Sequence, residues 1–413
     1  MWHSFQQLTQ GGFSSEQSVG RGGQIPASCH RPVGTRRAVT RRAGRALLWA
    51  AALLTTGGVV DSPLIGRVTG WRATSVVGAA EVGRPTGDKI VSPDAKLERL
   101  YTRELPIQGG LAEGPAVAPD GSIYYTDIPL GKDRGAIMRF DPVTRKTTAF
   151  TLDSGKANGL IFDAQGFLLA CEGSDQGGRR VSRWNVKTGE RETLADNFQG
   201  KKFNAPNDLC LDREGRVYFT DPRYLGDEPR ELEHRAVYRI NKDKSVIEIT
   251  HEVSKPNGIA ISPDGKTLYV ADHDNGTDKI DPANKPKLGP MKIYAFPLGP
   301  DGKVAGSRRT IHDFGEQAGC DGMCVDQDGH IYLTARGLKR PGVLVINPAG
   351  EEVAFIPTGP ANQSSDSQPG PVGLPSNVEF GLGAEASVLY VTIDVSLYRI
   401  PLKTKGYHVQ YSR

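Results

Sequence analysis

The sequence predicts an all-β fold: a six-bladed β-propeller with four-stranded antiparallel blades around a central channel. Three observations lead there. First, one hairpin phrase recurs. Pro206-Asn207-Asp208-Leu209-Cys210-Leu211 turns at Glu214-Gly215 into Val217-Tyr218-Phe219-Thr220-Asp221. Pro256-Asn257-Gly258-Ile259-Ala260-Ile261 turns at Asp264-Gly265 into Leu268-Tyr269-Val270-Ala271-Asp272, and Asp321-Gly322-Met323-Cys324-Val325 turns at Asp328-Gly329 into Ile331-Tyr332-Leu333-Thr334-Ala335. Copies of one supersecondary unit mark a repeat architecture. Second, six such segments start near Glu113, Asn158, Asn207, Asn257, Asp321 and Asn377, at spacings that accommodate four short strands each. Third, 50 Gly and 28 Pro with only 7% aromatic residues suit many short strands separated by turns.

In chain order, residues 1–45 are rich in Gly, Ser, Gln and Arg without periodicity and are expected to be a disordered basic leader. Residues 46–80 form an apolar segment and linker. The run from Ala46 to Leu54 is short for a membrane span but suits a signal-peptide core, and Thr40-Arg41-Arg42 before it resembles a twin-arginine export signal. Export to the periplasm or the cell exterior is the expectation, with no stable span after processing. An uncleaved leader acting as a membrane anchor is the alternative.

The propeller body is expected over 97–405. Its second copy shows the unit well. Gly159–Phe162 turns at Gln165-Gly166 into Phe167–Glu172, followed by Arg180–Trp184 and Glu192–Leu194. The sixth copy has three clear strands, so its fourth comes either from Leu97–Leu105 or from Tyr407–Gln410. The first option would tie the two ends of the body together and remove an open sheet edge. A monomer is expected.

Charge separates leader from body. Residues 1–72 hold nine Arg against Glu16 and Asp61, which leaves 42 of the 51 basic and 45 of the 47 acidic residues beyond that point. The body is mildly acidic and carries no basic face for nucleic acid. Cys29, Cys171, Cys210, Cys320 and Cys324 make no disulfide or zinc framework. No Gly-x-Ser-x-Gly elbow and no phosphate-binding Gly loop is present, which argues against a serine hydrolase or a nucleotide enzyme. Asp326-Gln327-Asp328-Gly329 starts like a calcium loop but lacks the terminal Glu at the right spacing, and reads as a hairpin turn.

Chemistry is expected on one rim of the channel. The first strand of each copy begins with an oxygen-bearing residue: Glu113, Asn158, Asn207, Asn257, Asp321 or Asn377. Propeller symmetry turns these toward the axis, and oxygen ligands suit a hard cation such as Ca²⁺. Hairpin geometry brings the end of the second strand to the same rim. Asp127, Glu172, Asp221, Asp272, His273, Arg336 and Asp394, followed by Arg223 and Tyr224, are therefore candidates for supporting or substrate contacts.

The body resembles the gluconolactonase family, which includes regucalcin (senescence marker protein). The motifs that carry the resemblance are Glu113-Gly114-Pro115, Pro206-Asn207-Asp208, Pro256-Asn257-Gly258 and Asp321-Gly322-Met323-Cys324. The resemblance implies a six-bladed propeller that hydrolyses a sugar lactone at one divalent cation in its channel. Calcium is the expected ion, with zinc, manganese or magnesium as alternatives. It implies Glu113, Asn257 and Asp321 as direct ligands, and Asn207 as ligand or substrate contact. Asp321 or His273 would then act on water. Asn158, Asn207, Glu172, Asp221, Arg223, Arg336 and Asn377 complete the expected substrate contacts. A non-catalytic calcium-binding scaffold and a metal-dependent phosphotriesterase or esterase remain the alternatives.

Overall fold

The structure is a computed structural model that describes residues 81–105, 109–278, 286–363 and 372–412. The leader and signal-like segment anticipated over 1–80 lie outside the described residues. Among the described residues, six four-stranded antiparallel sheets form the body, and the only helical element is one 3₁₀ turn at Gly383–Glu385. No helix among them is long and apolar enough to cross a membrane.

The six innermost strands are Leu111–Val117, Ala157–Phe162, Leu209–Leu211, Pro256–Ile261, Cys320–Val325 and Pro375–Phe380. Each packs beside the next, and the last packs beside the first, so the sheets close into a six-bladed ring. Closure uses the first of the two options open in the sequence. Glu98–Thr102 pairs antiparallel with Ser396–Pro401 and supplies the outer strand of the sixth blade. The segment Tyr407–Gln410 instead crosses the channel end opposite the oxygen-bearing strand starts. There the Tyr407 N–H donates to Val325 and the Tyr411 hydroxyl to Val117, both backbone carbonyls.

Blade faces explain why the strands read as nearly unbroken apolar runs. Side chains alternate along a strand, and a propeller blade is covered on both faces. On the second strand of blade three, Val217 and Phe219 pack toward blade two while Tyr218 packs toward blade four. On that of blade five, Ile331 and Leu333 face blade four and Tyr332 faces blade six. The core accordingly divides into six clusters, one per interface between blades. Cys171, Cys210, Cys320 and Cys324 are buried free thiols.

Phe219 is fully buried between blades two and three, edge-on to Phe203 at 5.0 Å. Phe219→Ala should therefore cost about 3–5 kcal/mol through lost transfer energy and a residual cavity. Chemical denaturation of both proteins under the same conditions checks this; a loss under about 1 kcal/mol would mean the interface does not carry the core.

Candidate active site in the channel mouth

Five of the six oxygen-bearing residues sit at or beside a break in their strand's pairing, while Asn207 lies just before its strand. Register breaks fall between Glu113 and Ala116, Ala157 and Leu160, Pro256 and Ile259, Cys320 and Met323, and Pro375 and Asn377. A bulge bends the strand and re-aims the side chains at it. Gly114 takes φ +44°, and a Cβ there would stand 2.2 Å from the Asn158 carbonyl oxygen, so neighbouring strands approach too closely for any side chain. Threonines on the second strands hold these starts from behind. Thr220 and Thr392 hydroxyls accept the backbone N–H groups of Asp208 and Asn377 at 3.0 Å.

A cavity of about 270 Å³ opens at this rim, and Glu113, Asn158, Asn207, Asn257, His273, Asp321 and Arg336 all line it. Glu113 is buried, with its carboxylate accepting the Gly114 N–H at 2.9 Å. Burial, then the nearby carboxylates of Asp321 and Asp208, push its pKa well above the usual carboxylate range. Arg336 reaches Asp321 at 3.2 Å and also donates to the Pro375 carbonyl. His273 Nδ1 lies 2.9 Å from the Cys320 carbonyl oxygen, which can only accept. Nδ1 therefore carries the proton, and Nε2 of the neutral ring keeps its lone pair. Burial lowers the His273 pKa and favours that neutral form, against the opposing pull of Asp321.

The structure does not bring the other expected contacts to the cavity lining. Glu172 is fully buried between Arg180 and Arg191. Asp221 accepts the backbone N–H groups of Asn204 and Ala205 at 2.7 and 2.6 Å, so it shapes the loop leading to Asn207. Arg223 turns away to the carbonyls of Gly226 and Glu228 and to the Glu228 carboxylate. Asn377 sits deeper in the channel, packed under Gly322, with its amide nitrogen 3.4 Å from Asp208. The acids expected to face a substrate instead serve the backbone in three blades. Asp272 clamps Ser254 and Lys255, and Asp394 clamps Gly373 and Leu374, in the manner of Asp221.

The tertiary structure adds Asp208 and Lys156 to the residues expected from sequence and keeps Tyr224 among them. Asp208 is buried in the channel, its pKa pushed up to about 7, chiefly by burial. Its place in blade three corresponds to a glycine in four other copies, Gly114, Gly159, Gly258 and Gly322, a signal visible in the repeat. Lys156 and Tyr224 also line the cavity.

Asp326, Asp328 and His330 also bring ligand atoms within 4.8 Å of one another. There, however, Asp326 Oδ2 already accepts from His330 Nδ1 and from the hydroxyls of Tyr332 and Thr404. Its Oδ1 takes the N–H groups of Asp328 and His330 across the hairpin turn.

The fold and its oxygen-lined mouth define a six-bladed propeller with a polar site at one end of the channel. Residues 111–393 match the model of the SMP-30/Gluconolactonase/LRE-like region, and the chain belongs to that family. It is 30% identical over 369 residues to a gluconolactonase from Zymomonas mobilis, covering 80% of this chain and 92% of that protein. A solved gluconolactonase from Xanthomonas campestris superposes with a TM-score of 0.61 at 27% identity, over 78% of this chain and 96% of that one. A calcium-binding regucalcin from Agrobacterium tumefaciens shares the fold at 18% identity, with a TM-score of 0.57 over 76% and 96% of the two chains.

The raised Glu113 pKa has a consequence for stability. A carboxyl group whose folded pKa exceeds its unfolded value favours folding below about pH 4.5, and that contribution is lost as pH rises through the folded value. In chelator, Glu113→Gln should therefore melt higher than the parent at pH 8, with the gain vanishing toward pH 4. Paired thermal melts across that range check the sign; a variant less stable at pH 8 would contradict it.

Proposed function

We propose that this protein is a divalent-cation-dependent hydrolase that opens a sugar lactone in the channel-mouth cavity. The observation that carries this reading is the convergence of Glu113, Asn207, Asn257 and Asp321 on one cavity with His273 and Arg336 beside them. The donor set fits a hard cation. It offers oxygen only, two carboxylates and two amides, and the Glu113 pKa is raised in part by its own neighbours, as expected of acids gathered for a positive charge. The Asn207 amide has no protein hydrogen-bond partner among the described residues. Glu113, Asn257 and Asp321, with Asn207, would hold the ion, calcium being the ion proposed. Bound there, it would supply Lewis-acid polarisation of the lactone carbonyl. Gluconolactonase activity in the Zymomonas and Xanthomonas relatives supports the choice of substrate class.

The chain's own residues supply the proton handling. Hydrolysis adds water across the ring ester: a C–O bond forms to the carbonyl carbon, the ring C–O bond breaks, and a proton moves from the water to the departing ring oxygen. His273 Nε2 is the proposed carrier, because Nδ1 is committed to Cys320 and only Nε2 can accept. Arg336 holds Asp321 at the cavity wall and leaves the rest of its guanidinium for substrate oxygens. Asn158 adds an amide on the far side.

Purified protein should hydrolyse glucono-1,5-lactone, lose that activity in chelator and regain it on adding Ca²⁺ or Mn²⁺. Chelator-resistant hydrolysis would end the metal reading, and no turnover of any lactone would end the enzyme reading. Asp321→Asn should lose roughly 100-fold or more in kcat, partly restored by excess cation. His273→Gln should lose at least roughly 100-fold while binding cation normally. Asp326→Asn should lower stability but leave cation binding intact; the reverse pattern would move the site to the Asp326 hairpin.

Binding should also release a proton, because Glu113 must ionise to become a ligand. Calorimetry in buffers of different ionisation enthalpy measures this directly. Apparent cation affinity should fall as pH is lowered.

A further inference from the structure

An asparagine can serve as a cation ligand only through its oxygen, and nothing intrinsic to the side chain decides which end of the amide faces the site. Asn257 meets that problem on the cavity wall. Its Nδ2 lies 3.0 Å from the Tyr224 hydroxyl, and that hydroxyl lies 3.0 Å from the backbone carbonyl of His273. A hydroxyl has one proton. The His273 carbonyl can only accept, so the Tyr224 proton goes there and the hydroxyl presents a lone pair to Asn257. Only an N–H can answer a lone pair. The amide is thereby set with Nδ2 outward, against Tyr224. Oδ1, which has no protein partner among the described residues, is left for the cavity.

The tyrosine is itself held. Its ring lies under the Lys255 ammonium at 4.3 Å and packs edge-on to the His273 imidazole at 6.2 Å. Lys255 is fully buried and donates to the Asn275 side chain and the Thr277 carbonyl. Its backbone N–H is clamped by Asp272 at 2.9 Å, two residues before Asn257. A loop-borne aromatic from blade three is thus locked onto the strand start of blade four.

We propose that Tyr224 is a positioning residue that fixes the amide polarity of Asn257, presenting its oxygen to a hard cation in the channel mouth. This rests on Asn257 acting as a ligand, as set out above. Supporting groups of this kind typically change metal affinity by about 10–100-fold.

The test is a double-substitution cycle in the full-length protein, read as Mn²⁺ affinity by electron paramagnetic resonance, without substrate or turnover. Tyr224→Phe keeps the ring and its contacts with Lys255 and His273 but removes the hydroxyl. It should weaken Mn²⁺ binding about tenfold. Asn257→Asp supplies two equivalent oxygens, for which amide polarity has no meaning. In that background, Tyr224→Phe should leave Mn²⁺ affinity unchanged within about twofold, because a carboxylate cannot be flipped to the wrong end. Equal losses in both backgrounds, or no loss in either, would overturn the proposal and leave Tyr224 a packing residue. If the parent protein bound no Mn²⁺, Ca²⁺ or other divalent ion, the metal-site reading would fall, and this inference with it.

Discussion

A carboxylate that accepts two consecutive backbone N–H groups is the contact on which the channel mouth depends. Asp221, Asp272 and Asp394 each stand at or within one residue of the end of a second strand and reach across to the loop entering the first strand of the same blade. An innermost strand has no further strand on its channel side, so the N–H groups before its start need another acceptor. The clamp satisfies them and sets the path of the chain into Asn207 and Asn257. In blades three and four the clamping acids Asp221 and Asp272 are themselves buried, with pKa values lifted to about 7 and about 6, chiefly by that burial. Blades one and two use their corresponding acids differently. Asp127 pairs with Arg103, and Glu172 with Arg180 and Arg191.

The second feature of the channel is its concentration of acid. Glu113 and Asp321 stand at the mouth and Asp208 below them. Glu379 lies further down, its pKa raised to about 8 by burial. Burial of Glu113, Asp208 and Glu379 in that column disfavours their ionisation, which is a cost to folding at neutral pH and an attraction for a cation. The opposite end is closed by the C-terminal segment, where Thr404 is tied to Asp326 and His408 to the Gly381 carbonyl. One end of the channel is thus covered by packing, and the other opens into the polar cavity.

Tyr224, His273 and Asn257 show how the wall of that cavity is held. The Tyr224 hydroxyl joins the His273 backbone carbonyl to the Asn257 amide and fixes the amide's direction, while the Cys320 carbonyl fixes that of the His273 ring. Sites built on strand ends and locked by neighbouring side chains hold their geometry better than sites on loops alone.

The repeat, the blade count and the identity of the rim residues could be read from sequence, because they follow from local rules. Turn residues recur at fixed offsets, strands alternate with period two, and both faces of each blade are apolar, so Val217-Tyr218-Phe219 and Ile331-Tyr332-Leu333 declare themselves. Which rim residues share a cavity was decided by contacts between distant parts of the chain. Asn377 is drawn down to Asp208, 169 residues away, because Gly322 leaves the space above it open. Glu172, Asp221 and Arg223 stand in the right register to face a ligand, yet partners elsewhere claim their charges and lone pairs. The closing strand was ambiguous for the same reason. Both chain ends had strand-forming residues, and only the position of Ser396–Pro401 beside Glu98–Thr102 in the finished ring selects one of them. Pattern in a sequence specifies which side chains point inward, but the geometry of the closed ring specifies what each of them meets there.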